Sequence, residues 1–385
     1  MMFTNPLVRR LSQQETPFYY YDLTLLQNTI STLIAAAGDY QVHYALKANA
    51  HPRLLSPMVA AGLGADCVSG NEVKRALECG FKPDSIAFAG VGKSDHEIMR
   101  GLEAGIFCFN VESIPELEII DQLAAQKNTR AKIALRVNPN VDAHTHKYIT
   151  TGLEENKFGI NAYEFDMVLE SLSKLRNIDF CGLHFHIGSQ ILDLSTFANL
   201  CTRVNEINRW FSQKGYQADH LNLGGGLGIH YQHPDQQLIP DFAAYFSIFR
   251  QYLEPYPGQE IHFELGRSLV AQCGSLISKT LYIKKGIKTN FLILDAGMTE
   301  LIRPALYQAF HQIENISSAA SANMRYDVVG PICESSDCFG KAVELPESKR
   351  GDLIAIRSAG AYGEVMSNRY NLRDAVQSVF SEDLI

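Results

Sequence analysis

The sequence predicts an α/β protein, with a closed (β/α)8 barrel over residues 25–266 and a mostly β domain built from residues 1–24 and 267–385. Three observations predict it. Eight short β-prone runs, near 41–47, 64–68, 85–89, 106–111, 131–137, 180–186, 220–224 and 261–265, alternate with segments of helical composition, as in a parallel sheet covered by crossover helices. Unusual polar residues gather just after the ends of these runs, the face on which barrel enzymes build their sites, which favours a closed barrel over a doubly wound open sheet. Beyond Gly266 the pattern changes to β-rich runs with few long helical stretches. A chain of 385 residues also exceeds the usual size of a single core.

Taken in order, Phe18-Tyr19-Tyr20-Tyr21-Asp22 is aromatic and of strand character. It is expected to complete the sheet of the second domain, which makes the barrel an insertion. Helical periodicity runs from Leu25 to Ala36, with Gly38 as a stop before the first barrel strand. Helices are expected between the barrel strands at Asn71 to Cys79, Asp95 to Ala104, Ile114 to Gln126, Tyr163 to Leu175 and Phe197 to Gln213. After the barrel, Leu276 to Ile283, Phe291 to Ala296, Tyr326 to Ile332 and Asp352 to Ile356 read as strands. No fixed-period repeat or low-complexity linker interrupts the chain.

A formal net charge of -8 with dispersed lysines and arginines gives no basic stripe for nucleic acid, so small-molecule chemistry is the expectation. No run approaches the length of a membrane span, and Met1 to Gln14 holds a proline and two arginines instead of a signal-peptide core. A cytoplasmic protein is expected. The eight cysteines show no CxxC spacing, so neither a disulfide framework nor a zinc ribbon is indicated, and no metal is expected.

The chemistry-bearing residues sit at strand ends. Val42-His43-Tyr44-Ala45-Leu46-Lys47 is an apolar run ending in a lysine, where partial desolvation favours imine chemistry. The plain alternative is a solvated lysine at a strand-to-loop junction. In His184-Phe185-His186-Ile187-Gly188-Ser189-Gln190, period-two spacing puts both histidines on one face. They suit a hydrogen-bonded core pair, a metal pair, or an imidazole against a planar cofactor with Ser189 on a phosphate. Leu223-Gly224-Gly225-Gly226-Leu227-Gly228 is either a concave anion site of backbone amides or a tight turn with no ligand. A nucleotide P-loop is unsupported. Glu264, before Gly266 and Arg267, needs a cationic partner if buried, either a protonated pyridine nitrogen or Arg267 itself. Farther on, Arg303 and Tyr307 stand four apart, Cys333-Glu334-Ser335-Ser336-Asp337 has the composition of a polar loop, and Tyr362 lies in Ala359-Gly360-Ala361-Tyr362-Gly363.

Together these segments resemble the fold-type III pyridoxal-phosphate-dependent decarboxylases over nearly the whole chain, from Tyr20 to Arg373. The resemblance rests on YALKAN at 44–49, TGLEENKFGI at 151–160, HFHIGSQ at 184–190, LGGGLG at 223–228, ELGR at 264–267, LIRPALY at 301–307, CESSD at 333–337 and GAYG at 360–363. It implies pyridoxal 5'-phosphate held by the barrel, with Lys47 as its imine-forming residue, His186 stacked on its ring and Glu264 on its pyridine nitrogen. Ser189, Gly226 and the backbone around Gly266 and Arg267 are implied as phosphate ligands. Arg267, Arg303, Tyr307, Glu334 and Tyr362 match substrate-holding positions, Tyr362 also touching cofactor, and Cys333 matches the acid that reprotonates the α-carbon.

The substrate so implied is meso-2,6-diaminopimelate, decarboxylated to L-lysine. Its far end carries both an ammonium and a carboxylate, which gives arginines and a glutamate a physical reason to share a site. Ornithine, arginine and carboxylated polyamines are the alternative substrates; a cofactor-binding pseudoenzyme and a metal hydrolase are the rival classes. The resemblance also implies a homodimer with shared active sites, the cysteine loop reaching the partner's site, and a lid around His146 to Asn156. The chain departs from the family pattern at Leu265, where proline is usual, at Thr299-Glu300, where asparagine-aspartate is common, and in being somewhat short.

Overall fold

A computed structural model describes residues 3–141 and 157–384. Residues His146 to Asn156, expected as a lid, lie outside the described residues. The chain divides into two compact units, one made of Ile30–Gly228 and Asp241–Gly266, the other of the described parts of Met1–Thr29, Ile229–Pro240 and Arg267–Ile385. Residues 25–29 and 229–240, expected within the barrel, therefore group with the β-rich unit. The second segment is tied there by polar contacts: Asp235 pairs with Arg357, and Gln272 donates to the carbonyl of Gln237.

The first unit is the closed eight-stranded barrel. Its strands are Gln41–Ala45, Gly64–Cys67, Ile86–Phe88, Cys108–Val111, Ala131–Arg136, Ile178–His184, His220–Asn222 and Glu260–Leu265. All neighbours are parallel, and the first strand closes the ring against the last, with His43 paired in register to Glu264. Helix boundaries follow local chemistry. Asp95–Ala104 begins at a Ser94/Glu97 capping box and ends at Gly105, whose φ of 62° is left-handed. Ile114–Gln126 begins where Ser113 accepts from the Glu116 amide, with proline in its first turn. The expected helix from Tyr163 opens as a 3-10 turn, Ala162–Glu164, before Phe165–Lys174. Pro52–Ala60 and Phe242–Tyr252 complete the alternation, the latter burying Phe242, Tyr245, Phe246 and Phe249 on one face.

The barrel interior is polar at two levels, where branched aliphatic side chains are the common filling of such barrels. Nearer the N-terminal strand ends lie His43, His220 and His262, all buried, packed with Phe107. The rings of His43 and His262 stack 5.1 Å apart, and His43 Nε2 is 2.9 Å from His262 Nδ1. Room for these imidazoles comes from Gly64 and Gly182, where a Cβ would fall well inside contact distance of His43 and His220. At the C-terminal strand ends lies the second level, which forms the candidate site.

The second unit is an eight-stranded sheet. Its long strand, Gly274–Lys285, pairs antiparallel with Leu353–Ile356 and Asn290–Leu294, and also with Phe18–Tyr21 from near the start of the chain. That N-terminal strand pairs on its other side, in parallel, with Gln377–Phe380. Met324–Val329 and Cys338–Leu345 extend the sheet beyond Asn290–Leu294, and Ile313–Asn315 lies beyond Leu353–Ile356. Among the described residues, no helix is long and apolar enough to cross a membrane.

Candidate active site

In the barrel unit, Lys47 occupies a 3-10 turn, Leu46–Ala48, directly after the first strand. Leu46 and Ala48 are buried and fix the turn, while the Lys47 side chain stays about a third exposed. Its Nζ stands 3.0 Å from Asp66 Oδ2 at the end of the second strand. Asp66 is fully buried, and its other oxygen, Oδ1, has no hydrogen-bond partner among the described residues. Burial pushes the Asp66 carboxyl up, the charge of Glu264 adds to that, and Lys47 opposes both. Gly266 lets the last strand approach this turn, since a Cβ there would lie 3.1 Å from the Cβ atoms of both Ala45 and Ala48.

Glu264 is buried and is held by two carboxamides and an imidazole. Its Oε1 accepts from Asn110 Nδ2 at 3.1 Å and from Asn222 Nδ2 at 2.7 Å, and its Oε2 is 2.8 Å from His184 Nε2. Burial would raise this carboxyl, yet His184, with Lys47 and His186, brings it well below the ordinary carboxylate range. An ionised carboxylate is acceptor-only, which two carboxamide N–H donors and an imidazole able to donate match. The Glu264–Arg267 ion pair entertained from sequence is not what holds this charge; carboxamides and an imidazole do.

His184 and His186 are committed to different partners. The sixth strand ends at His184, so strict alternation stops there, and His186 lies beyond it with Nδ1 accepting from the Gly225 amide at 3.3 Å. Burial, followed by the charges of Arg136 and Lys47, holds His186 well below the usual imidazole range, so the ring is neutral. No group of three or more histidine, cysteine, aspartate or glutamate side chains among the described residues is arranged to hold a metal ion.

The glycine turn after the seventh strand is required sterically. Gly224 and Gly226 have φ of 67° and 104°, and a Cβ on Gly225 would sit 1.9 Å from the Glu264 carbonyl oxygen. The turn is tied to the Ser189-Gln190 segment through Ile191 N–H to Gly226 O at 2.9 Å. Close by in the barrel, buried Arg136 pairs with Glu112 at 2.7 Å and lies over the Phe158 ring at 4.8 Å. Glu112 also accepts from the amides of Gly90 and Gly159.

In the β-rich unit, the Arg267 and Arg303 guanidiniums converge on one phenol. Arg267 Nη1 donates to Tyr231 Oη at 2.7 Å and Arg303 Nη1 at 3.0 Å, while Arg267 also lies over the Tyr362 ring at 4.9 Å. Tyr307 ends the short helix that Arg303 begins. Cys333 and Glu334 are exposed on their loop, Cys333 N–H donating to Asn371 and Glu334 accepting from Tyr370 at 2.8 Å. The loop is pinned by Asp337, which accepts from the Met298 and Ile332 amides.

The barrel-end groups fit a ring with a basic nitrogen and an anionic tail. An ionised buried carboxylate suits a protonated nitrogen, a lysine amine is at hand, and a glycine turn without room for a Cβ leaves its backbone open to close approach. Comparison with known proteins agrees with that chemistry. The family described as "Pyridoxal-dependent decarboxylase, pyridoxal binding domain" matches residues 24–271. The chain belongs to this family of pyridoxal-dependent decarboxylases, and within it to the diaminopimelate decarboxylases. It is 56% identical to the diaminopimelate decarboxylase of Bacteroides thetaiotaomicron over 96% of this chain and 97% of that protein. It is 40% identical to that of Vibrio cholerae, covering 97% of this chain and 89% of that one. The crystal structure of the Helicobacter pylori diaminopimelate decarboxylase complexed with L-lysine superposes with a TM-score of 0.91 at 39% identity, covering 98% of this chain and 94% of that one.

Proposed function

We propose that this chain decarboxylates meso-2,6-diaminopimelate to L-lysine and CO2, with pyridoxal 5'-phosphate as its cofactor. The observation that carries the reading is the buried, ionised Glu264, set among Asn110, Asn222 and His184 in the same barrel as Lys47 and the glycine turn. When bound, pyridoxal phosphate supplies the electron sink into which a departing carboxylate leaves its electrons.

The residues have distinct tasks. Lys47 would hold the cofactor through its amine, which Asp66 keeps oriented. Glu264 would accept from the ring nitrogen and so keep a proton there. His186, being neutral, would cover the ring face without adding charge. Ser189, Gly226 and the backbone at Gly266 and Arg267 bind the phosphate, the glycines by letting amides come close. Arg267, Arg303 and Tyr307, with Tyr362, hold the substrate's carboxylates, and Glu334 its distal ammonium. Cys333 returns a proton from its Sγ to the carbon that has lost CO2.

The exposure of Cys333 and Glu334 supports a homodimer in which this loop completes the partner's site. Eight free cysteines suit a reducing cytoplasm. The test is an absorbance spectrum of the purified protein before and after borohydride, followed by CO2 detection on adding substrate to an untreated sample. A band near roughly 420 nm that borohydride abolishes, with CO2 from meso-diaminopimelate and not from ornithine, arginine or a carboxylated polyamine, is the expected result. An imine band with CO2 only from one of the other substrates would replace the substrate assignment.

A further inference from the structure

Two of the buried arginines in the β-rich unit, Arg303 and Arg357, are treated in opposite ways. Arg357 is neutralised by carboxylates, Glu314 Oε1 at 2.7 Å and Asp235 Oδ1 at 2.9 Å. Arg303, also buried, has no carboxylate partner among the described residues; its Nη1 donates to two neutral groups, Tyr231 Oη at 3.0 Å and His311 Nε2 at 3.0 Å. An arginine can only donate, so His311 Nε2 is an acceptor, and its Nδ1–H donates to the Arg357 carbonyl at 2.8 Å. A buried guanidinium without a counter-charge is costly unless an anion arrives to supply one.

Tyr231 stands at the point where the two cations meet. Its ring is fixed by His311, edge-on at 5.1 Å, and by the Arg303 guanidinium 5.0 Å from its centroid. Its oxygen accepts from Arg267 at 2.7 Å and from Arg303 at 3.0 Å, and a hydroxyl has two acceptor sites and one donor. Both acceptor sites are taken, and the phenol proton has no acceptor among the described residues. That proton points to the same missing partner as Arg303.

We propose that Tyr231 is a specificity-determining residue: it sets the spacing of Arg267 and Arg303 and donates its own O–H to a substrate carboxylate held between them. This rests on the substrate reading above, and it assigns the carboxylate to the amino-acid end that is not decarboxylated. The L-lysine released keeps that end, so product and substrate should feel Tyr231 alike. Cadaverine, which lacks any carboxylate, should not feel it. Burial works to raise the phenol's affinity for its proton, but the two guanidiniums bring it below the usual tyrosine range, which strengthens the O–H as a donor.

The experiment uses the holoenzyme and Tyr231→Phe, with L-lysine and cadaverine binding titrated by calorimetry beside steady-state kinetics. The expected result is a rise of about ten- to a hundredfold in KM for meso-diaminopimelate and in the L-lysine dissociation constant, with kcat within about threefold and cadaverine binding unchanged. Equal weakening of cadaverine would mark Tyr231 as merely structural, and unchanged L-lysine binding would remove it from the site. A wild type that binds L-lysine no more tightly than cadaverine overturns the proposal outright. Failure of the substrate reading is seen separately, as a wild type that releases no CO2. Should the phenylalanine variant not fold, Tyr231→Gln keeps a donor and an acceptor where Tyr231→Leu keeps neither, and the proposal fails if glutamine binds L-lysine no better than leucine.

Discussion

Gly225→Ala tests whether the site depends on the glycine turn lying directly against the last barrel strand. The added Cβ would sit 1.9 Å from the Glu264 carbonyl oxygen and 2.9 Å from its carbonyl carbon, both backbone atoms with no rotamer to escape into. Restoring an ordinary contact requires the two segments to part by about 1.5 Å. Glu264 cannot follow such a shift and keep Asn222 at 2.7 Å, His184 at 2.8 Å and the Gly224 carbonyl at 2.8 Å from its amide. A buried carboxylate stripped of donors costs about 3–5 kcal/mol, and a misplacement near 1 Å costs about a hundredfold in rate. The assay pairs thermal melting and cofactor retention with kcat/KM, and Gly92→Ala is the control, since a Cβ there has nothing within 4 Å. A Gly225→Ala protein that melts within about 1 °C of wild type and keeps its activity within about twofold would refute the steric argument.

Three further outcomes are expected. Glu264→Gln should lower kcat/KM by about a hundredfold while Lys47 still retains the cofactor; full activity would mean the charge is not needed on the ring nitrogen. Cys333→Ala should lower kcat by about 10²- to 10⁴-fold and change stability by less than about 0.5 kcal/mol, because the thiol is exposed; an unchanged kcat would move the proton donor elsewhere. The third concerns pH. Burial first, then His43 and His220, hold His262 down at about 2, and burial with Arg303 holds His311 at about 3. Folded, these groups refuse protons that the unfolded chain takes up near 6.5. Their stabilisation is therefore full above about pH 6.5 and is lost as pH falls toward 3, by about 1.4 kcal/mol per pH unit for each. Glu72, pushed up to about 7 by burial, acts in the opposite sense between about pH 7 and 4.5, so the readout is a difference of slopes. Between pH 6 and 4, denaturant-derived stability of His262→Asn should fall with the shallower slope, and parallel lines would show that His262 does not titrate as described.

The barrel was legible because its signal is repetitive: each strand is short and apolar, and each is followed by a helical segment. Lys47, Glu264 and the glycine turn stood out as residue types that need a reason at a strand end. The groups that hold them did not stand out. Asp66, Asn110, Arg136 and Asn222 are single polar residues near the ends of four different strands, and only ring closure shows that they face one centre. The available signal was positional, a polar residue near the end of an otherwise apolar strand, repeated around the ring. His43, His220 and His262 were hidden for a related reason, since the cross-strand register that sets Gly64 beside His43 and Gly182 beside His220 cannot be read from one strand alone. Alternation also misled at His186, because the strand ends two residues earlier. Tyr231 carries no local signal; its meaning comes from arginines 36 and 72 residues away.

The pairing of Phe18–Tyr21 has a consequence for biosynthesis. This aromatic strand is translated about 250 residues before one neighbour, Gly274–Lys285, and about 360 residues before the other, Gln377–Phe380. At about 5–20 residues per second it waits for tens of seconds while the barrel between can close. For that interval a nascent chain carries an unpaired, hydrophobic strand edge, the kind of surface chaperones hold and neighbouring chains on a polysome can capture.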